Sequence, residues 1–159
     1  MLLYTPDNLL IEGLATYIGF TWQDTLGKEN YPSIEPERIS MMGFGNSADQ
    51  ATMKKMLADQ GLSETPLNIY RVRVAYSYEQ LGIEMLLNTK NTNKEFYDYH
   101  LGCVLIDYLA HQPGGMASVI DLYCDAMSAE RLYGAPLDAL LRNALTECHD
   151  QFYEQGVTD

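Results

Sequence analysis

The stretch TPLNIYRVRVAYSYEQLGIEMLLN, residues 65–88, decides whether the chain is all-α or mixed. Its middle part, YRVRVAYSY, alternates in polarity and is rich in β-branched and aromatic residues, which favours a strand. Apolar residues also recur every three or four positions, which favours a helix: Leu67, Tyr70, Val74, Tyr78, Leu81 and Met85. Thr65-Pro66 is a typical helix start. We therefore predict a helix from Thr65 to Asn88.

The N-terminal segment carries helix signals as well. Thr5 is a candidate N-cap, and Pro6 suits the first helical position. The apolar positions then recur every four residues: Leu10, Leu14, Ile18 and Trp22. Gly27 is the predicted end of this helix, since glycine is the residue most common just past a helix C-terminus.

Two stretches of the middle region are predicted to be connections. Residues 28–46 contain two prolines and two glycines, which predicts a long loop with room for one helical turn at 36–41. Ser47 then opens a short helix that Gly61 closes. Residues 88–94, NTKNTNK, are predicted to form a polar turn.

Three more helices are predicted in the rest of the chain, from residue 95 onward. The first spans 95–112 and stops at Pro113-Gly114-Gly115, the second spans 116–128, and the last runs from Pro136 to near Gly156. We predict a single domain, residues 1–159, with an all-α fold built as an irregular bundle of five to six helices.

Composition narrows the classes of function. The chain has 159 residues and a net charge of −12. From Glu95 onward it contains 11 acidic residues and only two basic ones, both arginines. Such a surface repels phosphate, so we expect no direct nucleic-acid binding and a protein as the partner. No apolar run approaches the roughly 20 residues of a membrane helix. Three cysteines without framework spacing predict a reduced, cytoplasmic protein.

A row of polar residues along the 95–112 helix is a candidate for chemistry. His100, Cys103, Asp107 and His111 lie along one flank. Asp107 and His111, four residues apart, could share a metal ion. The whole row could not, because a rise of 1.5 Å per residue puts His100 and His111 roughly 16 Å apart. The alternative is that these groups line the boundary of the core. Cys148 and His149 are adjacent and face different directions, so they form no nucleophile pair.

Glu12 stands out because its helix is otherwise almost wholly apolar, and buried glutamates need a partner or a metal. A plain role is open to it, either at the helix N-terminus or on a solvent-facing stripe with Asp7 or Asn8.

Two motifs resemble the gluzincin zinc metallopeptidases. Residues 12–17, EGLATY, resemble the E-G-L-A-x-Y helix of that family, and residues 99–109, YHLGCVLIDYL, resemble its Y-x-x-G-x-x-L-x-x-Y-L helix. The resemblance implies that Glu12 is the third zinc ligand, that Gly13 and Ala15 allow close helix packing, and that Tyr99 stabilises the oxyanion.

The family's H-E-x-x-H motif is absent from this sequence, and all three histidines lie downstream of Glu12. The resemblance is therefore to the C-terminal helical half of the fold. From it we expect a non-catalytic protein-interaction module that binds no cofactor. One alternative is a split or truncated zinc metallopeptidase, active only with a partner chain, in which His100 is a further candidate ligand. Another is an acidic mimic of nucleic acid that inhibits a basic partner. The sequence leaves homo-oligomerisation open.

Overall fold

The computed structural model describes residues 7–26 and 47–154, and no residue in these two ranges lies in a strand. The predicted all-α class is confirmed. The helices are α1 (Asn8–Leu26), α2 (Ser47–Asp59), α3 (Pro66–Leu81), α4 (Ile83–Leu87), α5 (Thr89–Thr92), α6 (Gly102–Ala110), α7 (Gly115–Cys124), α8 (Ala129–Tyr133) and α9 (Leu137–Tyr153). A π-helical turn (Phe96–Leu101) leads into α6, and a 3-10 turn (Ala126–Ser128) leads into α8. The predicted number of helices, five to six, was too low, because turns divide the predicted segments into shorter helices.

The decisive stretch at 65–88 is helical, but it is not one helix. The Thr65 side chain accepts a hydrogen bond from the backbone N–H of Asn68 at 3.3 Å, which caps the start of α3 as predicted. The helix ends at Leu81, because Gly82 has a φ of 80° and turns the chain. The prediction of continuous helix to Asn88 was wrong for this reason. The polar turn predicted at 88–94 instead contains α5.

The strand-like alternation in α3 has a physical explanation. Buried residues occur on most sides of this helix: Tyr70, Val72, Arg73, Val74, Ala75 and Ser77. The helix packs against α1, α2, α6 and α9. A helix enclosed by neighbours does not need a single apolar stripe, so its apolar residues follow no clean helical period.

The start of α1 differs from the prediction. The Asp7 carboxylate accepts a hydrogen bond from the backbone N–H of Leu9 at 2.9 Å and caps the helix. The predicted signals at Thr5, Pro6 and Gly27 lie outside the described residues. So do the loop predicted at 28–46 and the side chain of Trp22.

Several predicted helix boundaries are confirmed. Helix α2 is followed by Gly61 at a φ of 69°, and α6 ends just before the turn that contains Gly114 at a φ of 96°. Pro136 is the N-cap residue of α9. The predicted 116–128 helix ends at Cys124 and is followed by the 3-10 turn.

The core lies among α1, α3, α6 and α9. Helix α1 packs against α6 and the π-helical turn, and α9 packs against α3 and α6. The largest side chains buried completely or nearly so are mostly leucines: Leu10, Leu86, Leu101, Leu105, Leu109, Leu122 and Leu145. None of the helices in the described ranges is long and apolar enough to cross a membrane.

Candidate functional site

Glu12 and Tyr99, the two residues that the resemblance singles out, meet in the structure. Glu12 lies on α1 and Tyr99 on the π-helical turn, and both side chains are half-buried. The Glu12 carboxylate raises the pKa of Tyr99, mainly through hydrogen bonding to the phenol, with smaller contributions from burial and from the negative charge of Glu12. Two groups far apart in the sequence therefore form one polar site.

A close backbone contact beside Glu12 holds this site together. A Cβ atom placed on Gly13 would lie 2.5 Å from the carbonyl carbon and oxygen of Gly102. A Cβ atom on Gly102 would lie 2.6 Å from the carbonyl oxygen of Leu9. The backbones of α1 and α6 thus touch at two glycines, which fixes the helix carrying Glu12 against the one that follows Tyr99. Ala15 is exposed, so the close contact runs through Gly13 rather than Ala15.

His100 is adjacent to Tyr99 but has different surroundings. Its fully buried ring stacks on Tyr70, with centroids 3.9 Å apart, and on Phe96, with centroids 4.7 Å apart. Burial, with a smaller contribution from the nearby positive charge of Arg73, lowers the pKa of His100 to about 3. Neither ring nitrogen has a hydrogen-bond partner among the described residues. The imidazole is neutral and packs like an aromatic side chain.

A zinc site is incomplete in the described part of the chain. Within residues 7–26 and 47–154, no three His, Cys, Asp or Glu side chains lie together in a group that could hold a metal ion. A hydrolytic zinc site uses three protein ligands and a water. Glu12 and His100 as metal ligands, and Tyr99 as a catalytic residue, remain predictions.

The polar row on α6 forms ion pairs. The Asp107 carboxylate lies 3.4 Å from Nε of Arg71 on α3 and 3.7 Å from Nδ1 of His111. Burial raises the pKa of Asp107, and the charges of Arg71 and His111 oppose that rise. Arg71 also donates a hydrogen bond to Gln151 on α9. Asp107 and Arg71 thus connect three helices, which matches the boundary alternative for Asp107, whereas His100 and Cys103 of the same row are fully buried.

A second polar cluster surrounds His149 on α9, and sequence reasoning missed it. The ring stacks between Tyr78 and Tyr153, with centroids 4.4 Å and 4.9 Å away. Its nitrogens pair with Glu79 on α3 at 2.5 Å and with Asp150 at 3.0 Å. Burial alone would lower the pKa of His149, but the two carboxylates outweigh it and the pKa is raised. The neighbouring Tyr153, four residues on, was visible in the sequence, but the partners on α3 depend on helix packing.

Comparison with protein-family models, with curated proteins and with solved structures finds no match for this chain.

Proposed function

We propose that this chain is the C-terminal helical half of a gluzincin-type zinc metallopeptidase. In this proposal Glu12 is a zinc ligand and Tyr99 is a hydrogen-bond donor beside it. The observation that supports the proposal is that the two residues come together, so that the Glu12 carboxylate is the main cause of the raised pKa of Tyr99. The two motifs resemble that family separately, and nothing in either motif alone requires the two residues to meet.

The glycine contact gives independent support. Gly13 follows Glu12, Gly102 lies three residues after Tyr99, and the two glycines are where α1 and α6 touch. A glycine at such a crossing allows a close backbone approach that any larger residue would prevent. The glycine that the resemblance assigns to close helix packing, Gly13, therefore has a packing role in this chain too.

The described residues do not fit a zinc ion by themselves, because they supply one ligand where three are needed. The proposal therefore requires two histidines from another segment or another chain. When bound, zinc in such enzymes activates a water molecule and polarises the carbonyl group of the substrate.

The experiment begins with the coding sequence upstream of Met1. We expect an H-E-x-x-H segment there, or in a chain that co-purifies with this one. The complete assembly should contain about one zinc per copy, measured by elemental analysis, and should hydrolyse a quenched fluorescent protein substrate. Glu12→Gln should lose the zinc, whereas the matched control Glu64→Gln, at an exposed position, should keep it.

Tyr99→Phe separates the two roles. It should keep the zinc and lower kcat by about 10²- to 10³-fold, because in the zinc-bound assembly the hydroxyl would be released from Glu12 and would donate to the oxyanion instead. The proposal is wrong if no H-E-x-x-H segment is encoded upstream or in a co-purifying chain. It is also wrong if Glu12→Gln leaves the zinc content unchanged.

A second candidate is a non-catalytic protein-interaction module built on the same helices. The observation that favours it is the exposure of large apolar side chains in the acidic C-terminal part, Met127 at 88% and Ile120 at 45%. In such a module the Glu12–Tyr99 bond only joins two helices. Zinc-free protein that still binds a partner would support this candidate over the first.

A further inference from the structure

Four large apolar side chains are exposed in the described residues, and they fall into two pairs along the chain. Leu81 and Met85 are 43% and 60% exposed, and Ile120 and Met127 are 45% and 88% exposed. Methionine is a flexible side chain that adapts to irregular partner surfaces. The second pair lies on and just after α7, among exposed acidic residues.

Ile120 belongs to an exposed stripe on α7, which none of the other helices in the described residues covers. Four exposed residues follow helical spacing along this side, and the exposed Asp125 and Met127 come directly after the helix, Met127 in the 3-10 turn. We call these six residues the outer face of α7: Ala117, Ile120, Asp121, Cys124, Asp125 and Met127. The opposite side of α7 is in the core, through the fully buried Val119 and Leu122. An apolar line at three- and four-residue spacing is the geometry that a second helix packs against.

The charge around this face determines the partner's chemistry. Between residues 115 and 138 all four acidic residues are exposed, Asp121, Asp125, Glu130 and Asp138, against one arginine, Arg131. A second copy of this chain would place the same acidic face against itself, because a two-fold interface uses one patch on both subunits. Like charges facing each other across an interface are unfavourable, so the face suits a partner of opposite charge.

We propose that the outer face of α7 binds an amphipathic, basic helix of a partner protein. The apolar side of that helix contacts Ile120 and Met127. Its lysines and arginines pair with Asp121 and Glu130, while Asp125 is already engaged, accepting a hydrogen bond from the backbone N–H of Met127 at 3.1 Å. This proposal does not depend on the metallopeptidase assignment, because no residue of the Glu12–Tyr99 site belongs to the face.

The probe is a synthetic helical peptide of about five turns, roughly 18 residues, with leucines along one side and lysines on the other. A matched peptide with glutamates in place of the lysines serves as the charge control. Binding is measured by isothermal titration calorimetry on the full chain. We expect the basic peptide to bind and the acidic peptide not to bind.

Three double variants test the binding face, two for its apolar residues and one for its charges. Ile120→Ser with Met127→Ser should raise the Kd of the basic peptide at least about 10-fold, a change of about 1.4 kcal/mol. Leu81→Ser with Met85→Ser removes the other exposed apolar pair and should change the Kd less than about two-fold. Asp121→Asn with Glu130→Gln should weaken binding and reduce its salt dependence, because salt screens the attraction between charged groups. A salt series from 0.01 M to 1 M, over which the Debye length falls from about 30 Å to about 3 Å, measures this dependence.

The proposal fails if the basic peptide does not bind. It also fails if both apolar double variants weaken binding equally, or if the variant at Ile120 and Met127 binds like the parent chain. Dimers that light scattering detects, and that Met127→Ser abolishes, would show that the face is filled by a second copy instead.

Discussion

Replacing Gly13 by alanine is the most direct test of the α1–α6 crossing. The new Cβ atom would lie 2.5 Å from backbone atoms of Gly102 and would have to move about 0.9 Å further away to reach the 3.4 Å at which ordinary contact begins. The obstacle is main chain, so no side-chain rotation can relieve it. Overpacking of this kind costs about 1–3 kcal/mol, and more where the backbone cannot yield.

Alanine is also the better helix former by up to about 1 kcal/mol. We therefore expect Gly13→Ala to lower the free energy of unfolding by a net amount of about 2 kcal/mol. Gly19→Ala on the same helix is the matched control, because nothing lies within 4 Å of the Cβ that it would add. It should raise the free energy of unfolding by up to about 1 kcal/mol.

The assay is urea unfolding followed by circular dichroism, with the melting temperature as a second readout. In a chain of this size each kcal/mol corresponds to about 2–4 °C. Gly13→Ala should therefore melt about 4–8 °C below the parent chain and Gly19→Ala slightly above it. Two variants with the same shift, or a Gly13→Ala variant as stable as the parent, would refute the close crossing.

Three further predictions concern titration and reactivity. His149 should make stability depend on pH, because its imidazolium stabilises the fold through Glu79 only while it is protonated. The free energy of unfolding should therefore fall as pH rises from about 6.5, the ordinary histidine pKa, through the raised pKa of folded His149. Urea unfolding between about pH 6 and about pH 8 measures this fall, and a fall of equal size in His149→Gln would contradict the assignment. Glu12→Gln should lower the pKa of Tyr99 toward 10, since the Glu12 carboxylate is the main cause of its rise. Ultraviolet titration measures this pKa, and comparison with Tyr99→Phe identifies which phenol is Tyr99. A Tyr99 pKa that is the same in Glu12→Gln as in the parent chain would contradict the interaction. Cys124 is exposed, whereas Cys103 and Cys148 are buried. A disulfide reagent should therefore react rapidly with one thiol in the native chain and with three after unfolding. Rapid reaction of all three thiols in the native chain would contradict the burial.

The sequence indicated the all-α class correctly because most segments carry helical periodicity together with start and stop residues. The break at Gly82 was missed because the apolar pattern continues across it, from Leu81 to Met85. A glycine inside such a pattern is tolerated in many helices, and only the observed φ of 80° shows that this one turns the chain.

The candidate site could be approached only in part. Glu12 and Tyr99 were singled out by resemblance to a family, and their hydrogen bond depends on the α1–α6 crossing, which no local pattern specifies. The Glu79–His149 pair was not predicted for the same reason, since it joins α3 to α9. His100 was assigned to a polar flank, but the wide turn before α6 directs it inward between Tyr70 and Phe96.

The π-helical turn at Phe96–Leu101 has a consequence for how this segment tolerates change in length. A π-helix holds an extra residue within what would otherwise be an α-helix, and one residue of α-helix corresponds to a rotation of about 100°. Deleting one of the two residues between Tyr99 and α6, His100 or Leu101, would shorten the turn and would rotate Tyr99 and everything before it relative to α6. Tyr99 would then point away from Glu12 even if every remaining side chain were kept. The number of residues in this turn is therefore constrained separately from their chemical identity.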